Sequence, residues 1–309
     1  VFFDLRTEAT IASEVEFSGV GVHSGKHIDM KVSPAAEGTG FVFRRVDVAP
    51  TKKGQNQFIK LSPKSVVDPV LCTRLVNKDG VSVAVVEHLL AAFRICGITN
   101  ATIELDSEEV PIMDGSAIEF VEAFRRAGVV RQDAFVPAVV ITHPVSVSSQ
   151  NGEISIVPSD ESSVSVKISY DRIDPVIGTN NSCTFSLNDD IRDIASARTF
   201  GWLEDCEKVR AMGLAKGASE DNTVVIMPDN SIKNVGGLRN PSELVMHKCL
   251  DLIGDFSVIG YDIVGSVRGL NTSHSLNNLL MRKLLKELPL HKVVRSEHAT
   301  DFRQTLSFA

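Results

Sequence analysis

One spacing constrains this chain more than any other feature. A helical pattern carrying Glu87 and His88 is followed by an alternating strand (Ala101, Ile103, Leu105), a loop, and a second helical pattern opening at Ser116. The same order returns later, with His247 on the first helix, a strand over 261–267, and a last helix opening at His274. The two histidines are 159 residues apart, and Ser116 and His274 are 158 apart. Two passes through one order of elements point to a duplicated α+β unit, each copy burying the apolar face of its sheet under its helices. Two unrelated α+β domains in series would give the same pattern. Length agrees with two units, because a single core stops growing near 250–300 residues and this chain has 309. The pattern resets between Arg131 and Pro137, which sets the expected domains at 1–133 and 134–309.

The local signals fill in this plan. Ile28, Met30 and Val32 alternate on one face of a strand, and Phe41 and Phe43 repeat the pattern. Asp79-Gly80 predicts a hairpin between 75–77 and 81–86, because such a pair supplies the positive-φ positions of a tight turn. Asn151-Gly152 predicts a second hairpin between 145–148 and 153–157. Helices are expected over 87–95, stopped by Gly97, and over 242–256 and 274–288. Ser116 and Glu119 have the spacing of a capping box at a helix start. One segment, 195–225, has no counterpart in the first half, and its stretch 202–212 is amphipathic. Inserts of this kind commonly build binding surface.

Several function classes are excluded early. The formal charge of −7 and the absence of a long basic run argue against nucleic acid as a partner. No apolar run approaches the ~18 residues of a membrane span, and Asp4 and Arg6 argue against a secretory leader. Cys72, Cys96, Cys183, Cys206 and Cys249 are odd in number and share no CxxC spacing, so neither a disulfide framework nor a thiolate zinc site is expected. A reducing cytoplasm is the simplest home for them.

Three polar clusters interrupt otherwise apolar helices: Glu87-His88; the helix carrying His247, Lys248, Asp251 and Asp255; and Asn271-Thr272-Ser273-His274. His247 and Asp251 are four residues apart, so a helix stacks them on one face. Asp255 extends the row by another turn. That spacing alone equally describes a solvated pair. Its neighbours Leu244, Val245, Leu250, Leu252 and Ile253 make burial costly unless the polar groups are paired or hold a metal. A catalytic zinc site uses three protein ligands and keeps one position open. His88, on the equivalent helix of the other half, is the natural third ligand. The set suits Zn²⁺ and also Fe²⁺. Taken singly, each histidine reads as well as a hydrogen-bonded structural residue. Glu87, adjacent to a ligand, is positioned as a general base toward water. His274 reads as a second acid/base or oxyanion stabiliser, with Asp255 holding its ring, or as a surface residue at a helix start.

With these residues in view, the chain resembles the UDP-3-O-acyl-N-acetylglucosamine deacetylases, zinc amidases of lipid A synthesis in Gram-negative bacteria. The resemblance rests on Gly19-Val20-Gly21-Val22-His23-Ser24-Gly25, Phe43-Arg44-Arg45, Leu71-Cys72-Thr73, Val86-Glu87-His88-Leu89, Pro111-Ile112-Met113-Asp114-Gly115-Ser116, Ala197-Arg198-Thr199-Phe200-Gly201, and His274-Ser275-Leu276-Asn277-Asn278. It implies two α+β domains of like topology, each with an insert, with their helices packed between two sheets and the site at their junction. It further implies zinc on His88, His247 and Asp251, Glu87 as base, and a charged His274 supported by Asp255. Thr199 would bond the oxyanion and Lys248 would face the phosphate region of a UDP-linked acylated glucosamine. Leu71, Cys72, Phe200, Gly217 and Ser219 would contact substrate, and 195–225 would pass the acyl chain along Trp202, Leu203, Val209 and Met212. Those four also fit ordinary core packing. The family implies a cytoplasmic enzyme with transient contact to the inner membrane face. Where many members carry a lysine three residues before the catalytic histidine, this chain has Asn271.

Overall fold

The computed structural model describes residues 5–51, 54–67, 71–169, 176, 180–186 and 189–295. It is an α+β fold with two five-stranded sheets of the same construction. In the first, Val15–Val20 and His27–Pro34 form an antiparallel hairpin, and His27–Pro34 pairs antiparallel with the central Ala101–Leu105. Phe41–Arg45 lies parallel to that central strand, and Phe58–Lys60 closes the edge. In the second, Val145–Ser148 and Glu153–Val157 form the hairpin, Ser266–Leu270 is central, Ser163–Lys167 lies parallel to it, and Ser182–Ser186 closes the edge. Strand order and strand sense match, as the repeated spacing predicts.

Helices α1 (Glu87–Cys96) and α2 (Ile118–Ala127) cover the first sheet. Aromatic rings join these layers: Phe41 stacks on Phe93 of α1 at 4.5 Å, Phe93 stacks on Phe124 of α2 at 4.7 Å, and Phe17 meets Phe120 edge-on at 4.9 Å. Three helices of the second half come next in the chain: short α3 (Arg192–Ala195), α4 (Leu203–Ala211) and α5 (Glu243–Phe256). The last, α6 (His274–Glu287), packs with α5 against the second sheet. Contact between α1 and α5 joins the two layers of helices, so one continuous apolar core runs from sheet to sheet. Ile28, Met30 and Val32 point into it as the alternation predicts. Each half also carries an insert. In the first half it is a small sheet of Val66–Val67, Arg74–Val76 and Ser82–Ala84; in the second, Phe200–Trp202 pairs parallel with Val224–Ile226 ahead of and behind α4.

Several local expectations change. A single strand over 261–267 does not form. Asp262–Val264 joins Ala138–Val140, and the chain then crosses at Gly265 into the second sheet as Ser266–Leu270. A Cβ on Gly265 would stand 2.9 Å from the Ile141 side chain, so the crossing needs a residue without one. The capping box is also absent. α2 begins at Ile118, and Ser116 Oγ accepts from the Ile118 N–H at 3.2 Å while its own hydroxyl is tied to Asp114 at 2.8 Å. In the 145–157 hairpin, the Ser149 N–H donates to the Gly152 carbonyl, which puts Gln150 and Asn151 at the tip. Gly152 serves close packing instead, since a Cβ there would lie 2.5 Å from the Asn271 carbonyl oxygen. The 75–84 hairpin turns as expected, with Gly80 at φ 80°.

Candidate metal-centred active site

The strand Ser82–Ala84 enters α1 through Val85, which stands at φ 59°. A β-branched residue in the left-handed region costs about 1–2 kcal/mol. Packing of the Val85 side chain with Val22, Cys72, Ala84 and Ile112 holds it there. This sharp turn puts Glu87 and His88 in the first turn of α1, 2% and 4% exposed. On α5, the i, i+4 rule stacks Glu243, His247, Asp251 and Asp255 in one buried row. The two helices meet where a Cβ on Gly254 would stand 2.0 Å from the Glu87 carbonyl oxygen.

That crossing brings His88 to His247 and Asp251. One ligand atom from each lies within 4.8 Å of the others, and all three side chains are buried. Asp251 Oδ1 is 3.4 Å from His247 Nε2 and 3.6 Å from His88 Nε2. The His247 Nδ1–H donates to the Ala197 carbonyl at 3.0 Å, which leaves Nε2 with its lone pair toward Asp251. Burial pulls the His247 pKa down to about 3, so its ring is neutral, as a ligand must be. Burial acts to raise the Asp251 pKa, but the cations Lys248 and His274 oppose it, and the carboxyl is held well below its usual range. Two imidazoles and one carboxylate, drawn from two halves and removed from water, fit a borderline divalent ion such as Zn²⁺ or Fe²⁺.

Glu87 and His274 stand beside this trio. Glu87 Oε2 accepts the Thr73 N–H at 2.9 Å, and Glu87 Oε1 is 3.8 Å from His274 Nε2. Burial raises the Glu87 pKa, with His274 and His88 opposing. His274 is the first residue of α6, whose Ser273 cap accepts the Leu276 N–H. Its Nδ1 is 2.9 Å from Asp255 Oδ2, and its Nε2 is 4.0 Å from Asp251 Oδ2. Burial acts to lower its pKa, yet Asp255, Asp251 and Glu87 together push it up to about 10, so the ring is a cation at neutral pH. His274 is therefore no surface residue.

The other expected site residues are distributed around this centre. Lys248 Nζ donates to Asp251 Oδ2 at 2.8 Å and lies 5.6 Å from the centre of the Phe200 ring. Phe200 is also 6.2 Å from the His247 ring. Cys72 is buried, and burial together with Glu87 raises its thiol pKa to about 12, so it is no nucleophile. Leu71 is 56% exposed at φ 61°. Thr199 is half-buried, with its N–H on the Gly115 carbonyl and its own carbonyl accepting from Val224. Gly217 packs on Gly21, where a Cβ would stand 2.3 Å from the carbonyl oxygen, and Ser219 donates its N–H to Asn222 Oδ1. In the second insert no residue of α4 is buried; Leu203 and Met212 are exposed, and Trp202 and Val209 are half-buried. Core packing is thus not what most of that stretch does. Asn271 is tied up structurally: at φ 51°, its side chain donates to the Asn151 and Ser169 carbonyls and accepts the Ser169 N–H.

Three partners of the site escape a reading of periodicity. Thr73 bridges both carboxylates, with its N–H on Glu87 and its hydroxyl on Asp255 Oδ1 at 2.5 Å. Asn277 donates to Asp255 Oδ2 at 2.9 Å. Glu243, the first residue of α5, accepts from the Arg198 N–H at 3.1 Å and Nε at 2.8 Å and so anchors the loop holding Ala197 and Thr199. Only Glu243 left a usable signal, since it stands four residues before His247 in the same row.

A buried pair of imidazoles with a carboxylate, beside a second carboxylate and an imidazolium, has the make-up of a metal-dependent hydrolase site. Comparison with known proteins narrows that class. The family model for UDP-3-O-acyl N-acetylglycosamine deacetylase (LpxC) matches residues 8–286. A UDP-3-O-acyl-N-acetylglucosamine deacetylase of Alcanivorax borkumensis is 39% identical over 297 residues, covering 95% of each chain. The deacetylase of Myxococcus xanthus is 41% identical over 293 residues, 94% of this chain and 90% of that one. The Marinobacter nauticus deacetylase is 40% identical over 290 residues, 93% of this chain and 92% of its own. The chain belongs to the UDP-3-O-acyl N-acetylglycosamine deacetylase family.

Proposed function

We propose that this chain hydrolyses the N-acetyl amide of UDP-3-O-(3-hydroxyacyl)-N-acetylglucosamine and releases acetate, the committed step of lipid A synthesis. One zinc ion is the proposed cofactor, with Fe²⁺ as the alternative. The observation that carries this reading is the meeting of His88 from one half with His247 and Asp251 from the other, beside Glu87 and His274. Family membership supports the substrate class.

When bound by His88, His247 and Asp251, the ion supplies Lewis acidity, which brings a water toward a pKa of ~7 and polarises the amide carbonyl. Glu87, fixed by the Thr73 N–H, accepts the proton of the attacking water. Burial makes it a stronger base than a solvated carboxylate. His274, kept positive by three carboxylates, faces the charge that develops on the oxyanion and assists the departing amine. Asp255 fixes the ring, Thr73 and Asn277 fix Asp255, and the Thr199 hydroxyl stabilises the oxyanion. Lys248 takes the phosphate region, and Leu71, Cys72, Phe200, Gly217 and Ser219 line the substrate path. The apolar side chains left uncovered on 195–225 accept the acyl chain.

We place the division between two domains near residue 133. The enzyme acts in the cytoplasm, touching the inner membrane face transiently through its amphiphilic substrate. No helix among the described residues is long and apolar enough to cross a membrane. The test is acetate release from acylated and non-acylated UDP-N-acetylglucosamine. The acylated substrate should turn over at least 100-fold faster, with activity lost to a chelator and restored by zinc. Equal rates on both substrates would remove the acyl-chain role, and chelator-resistant turnover would remove the metal.

A further inference from the structure

A cavity of about 300 Å³ lies behind the catalytic centre, where the two halves meet at the far end of α1. None of the candidate site residues lines it. Phe41, Leu61 and Ile98 reach it from the first half, and Leu252, Phe256 and Tyr261 from the second. Two guanidiniums stand in this apolar wall, those of Arg6 and Arg94, and they share one carboxylate. Arg6 holds Asp262 through Nε at 2.7 Å and Nη2 at 3.0 Å, and donates Nη1–H to the Gly97 carbonyl. Arg94 meets the same Asp262 through Nη1. That is its only side-chain hydrogen bond among the described residues, so Nε and Nη2 keep their protons for a ligand. The other charged groups of the wall are Lys60 and Glu8, and Glu8 already accepts from the Gly38 N–H at 2.7 Å and from Asn100 Nδ2 at 2.8 Å. Three cations thus face two carboxylates, which leaves one positive charge in an otherwise apolar space. A guanidinium held away from bulk water is costly unless an anion pairs with it.

We propose that this cavity binds a small amphiphilic carboxylate, with its head on Arg94 and its alkyl chain against the apolar wall. One negative charge matches the one in excess, and a planar carboxylate fits the Nε–Nη2 edge of a guanidinium. A phosphate monoester would bring about two charges instead. At ~30 Å³ for each water-sized group, the space holds roughly ten non-hydrogen atoms, a chain of about eight carbons. Helix α1 carries Glu87 and His88 at one end and Arg94 near the other, and Leu252 follows Asp251 on α5. A ligand here is buried against both helices of the catalytic centre and ties the two halves together.

The test is calorimetric titration of the full chain with octanoate, beside acetate (the head alone) and octanol (the chain alone). One octanoate should bind per chain, at least tenfold more tightly than either fragment, and the melting temperature should rise with binding. Arg94→Met keeps an apolar stem and leaves Asp262 on Arg6. Checked for a wild-type circular dichroism spectrum, it should weaken octanoate at least tenfold and leave octanol unchanged. Phe200→Ala, which alters the proposed substrate path, should bind octanoate as the wild type does. Tyr261→Trp puts an indole in the cavity wall, and its emission should shift to the blue with octanoate once the wild-type signal of Trp202 is subtracted. This reading stands whether or not Arg94→Met folds. A protein that binds no octanoate, or binds octanol as tightly, would overturn the proposal. So would binding that a folded Arg94→Met retains in full, binding lost in Phe200→Ala, or an indole at position 261 that octanoate leaves unchanged.

Discussion

Gly254 on α5 lies against the backbone of Glu87 on α1, so close that a Cβ would stand 2.0 Å from the Glu87 carbonyl oxygen and 3.0 Å from its Cα. The atoms met are backbone, which cannot swing aside. This contact sets how near the helices approach, and hence whether His88 reaches Asp251. Gly254→Ala is expected to push α1 outward, destabilising the fold by about 1–3 kcal/mol. It should also lower kcat at least tenfold while the protein stays folded. Chemical denaturation and acetate-release kinetics check both, and a variant with wild-type kcat would show that the approach is not critical.

Glu87→Gln keeps an oxygen for the Thr73 N–H but removes the proposed base. Turnover is expected to fall about 10²- to 10⁴-fold, with KM and bound metal nearly unchanged. Steady-state kinetics with metal analysis on the same preparation make the check.

Asp255→Asn removes the carboxylate that does most to raise the His274 pKa. If the charged ring is the active form, activity is lost as pH rises through the His274 pKa. Taking Asp255 away lowers that pKa, so the alkaline limb of kcat/KM should move to lower pH. A limb that stays in place in the variant would assign it to another group.

Asp262 joins the two halves away from the site. Its carboxylate accepts from Arg6 Nε at 2.7 Å and Nη2 at 3.0 Å, and from Arg94 near the end of α1. Burial acts to raise its pKa, but Arg94 and Arg6 bring it below the usual value. A depressed carboxyl pKa stabilises the folded state above the unfolded pKa of ~3.9 and stops doing so as pH falls through the folded value. Asp262→Asn should therefore cost roughly 2–4 kcal/mol near pH 7. The difference should fade only as the solution becomes more acid than about pH 4. Denaturant melts across pH read this directly.

The repeated helix–strand–loop–helix order and the His247–Asp251–Asp255 row were legible because both depend on local periodicity, which a linear sequence displays. The close approach of α1 and α5 was not, since Gly254 within an apolar helix carries no sign of which backbone it meets. Thr73 stands out in the sequence only as part of Leu71-Cys72-Thr73. Its bond to Asp255 spans 182 residues and follows from tertiary packing alone. The crossing at Gly265 leaves no mark in the sequence, because the apolar pattern of 261–267 runs on through it while the chain changes sheets. The hairpin around Asn151-Gly152 forms as expected, though its glycine answers to a neighbouring carbonyl rather than to φ.

We propose that His88, contributed by the first half, completes a metal site with His247 and Asp251. The direct measurement is tightly bound zinc per chain in wild type and His88→Ala, with acetate release on the same samples. The wild type should hold one ion and be fully active, with both lost together in the variant. A His88→Ala protein that keeps its ion and its turnover would contradict it.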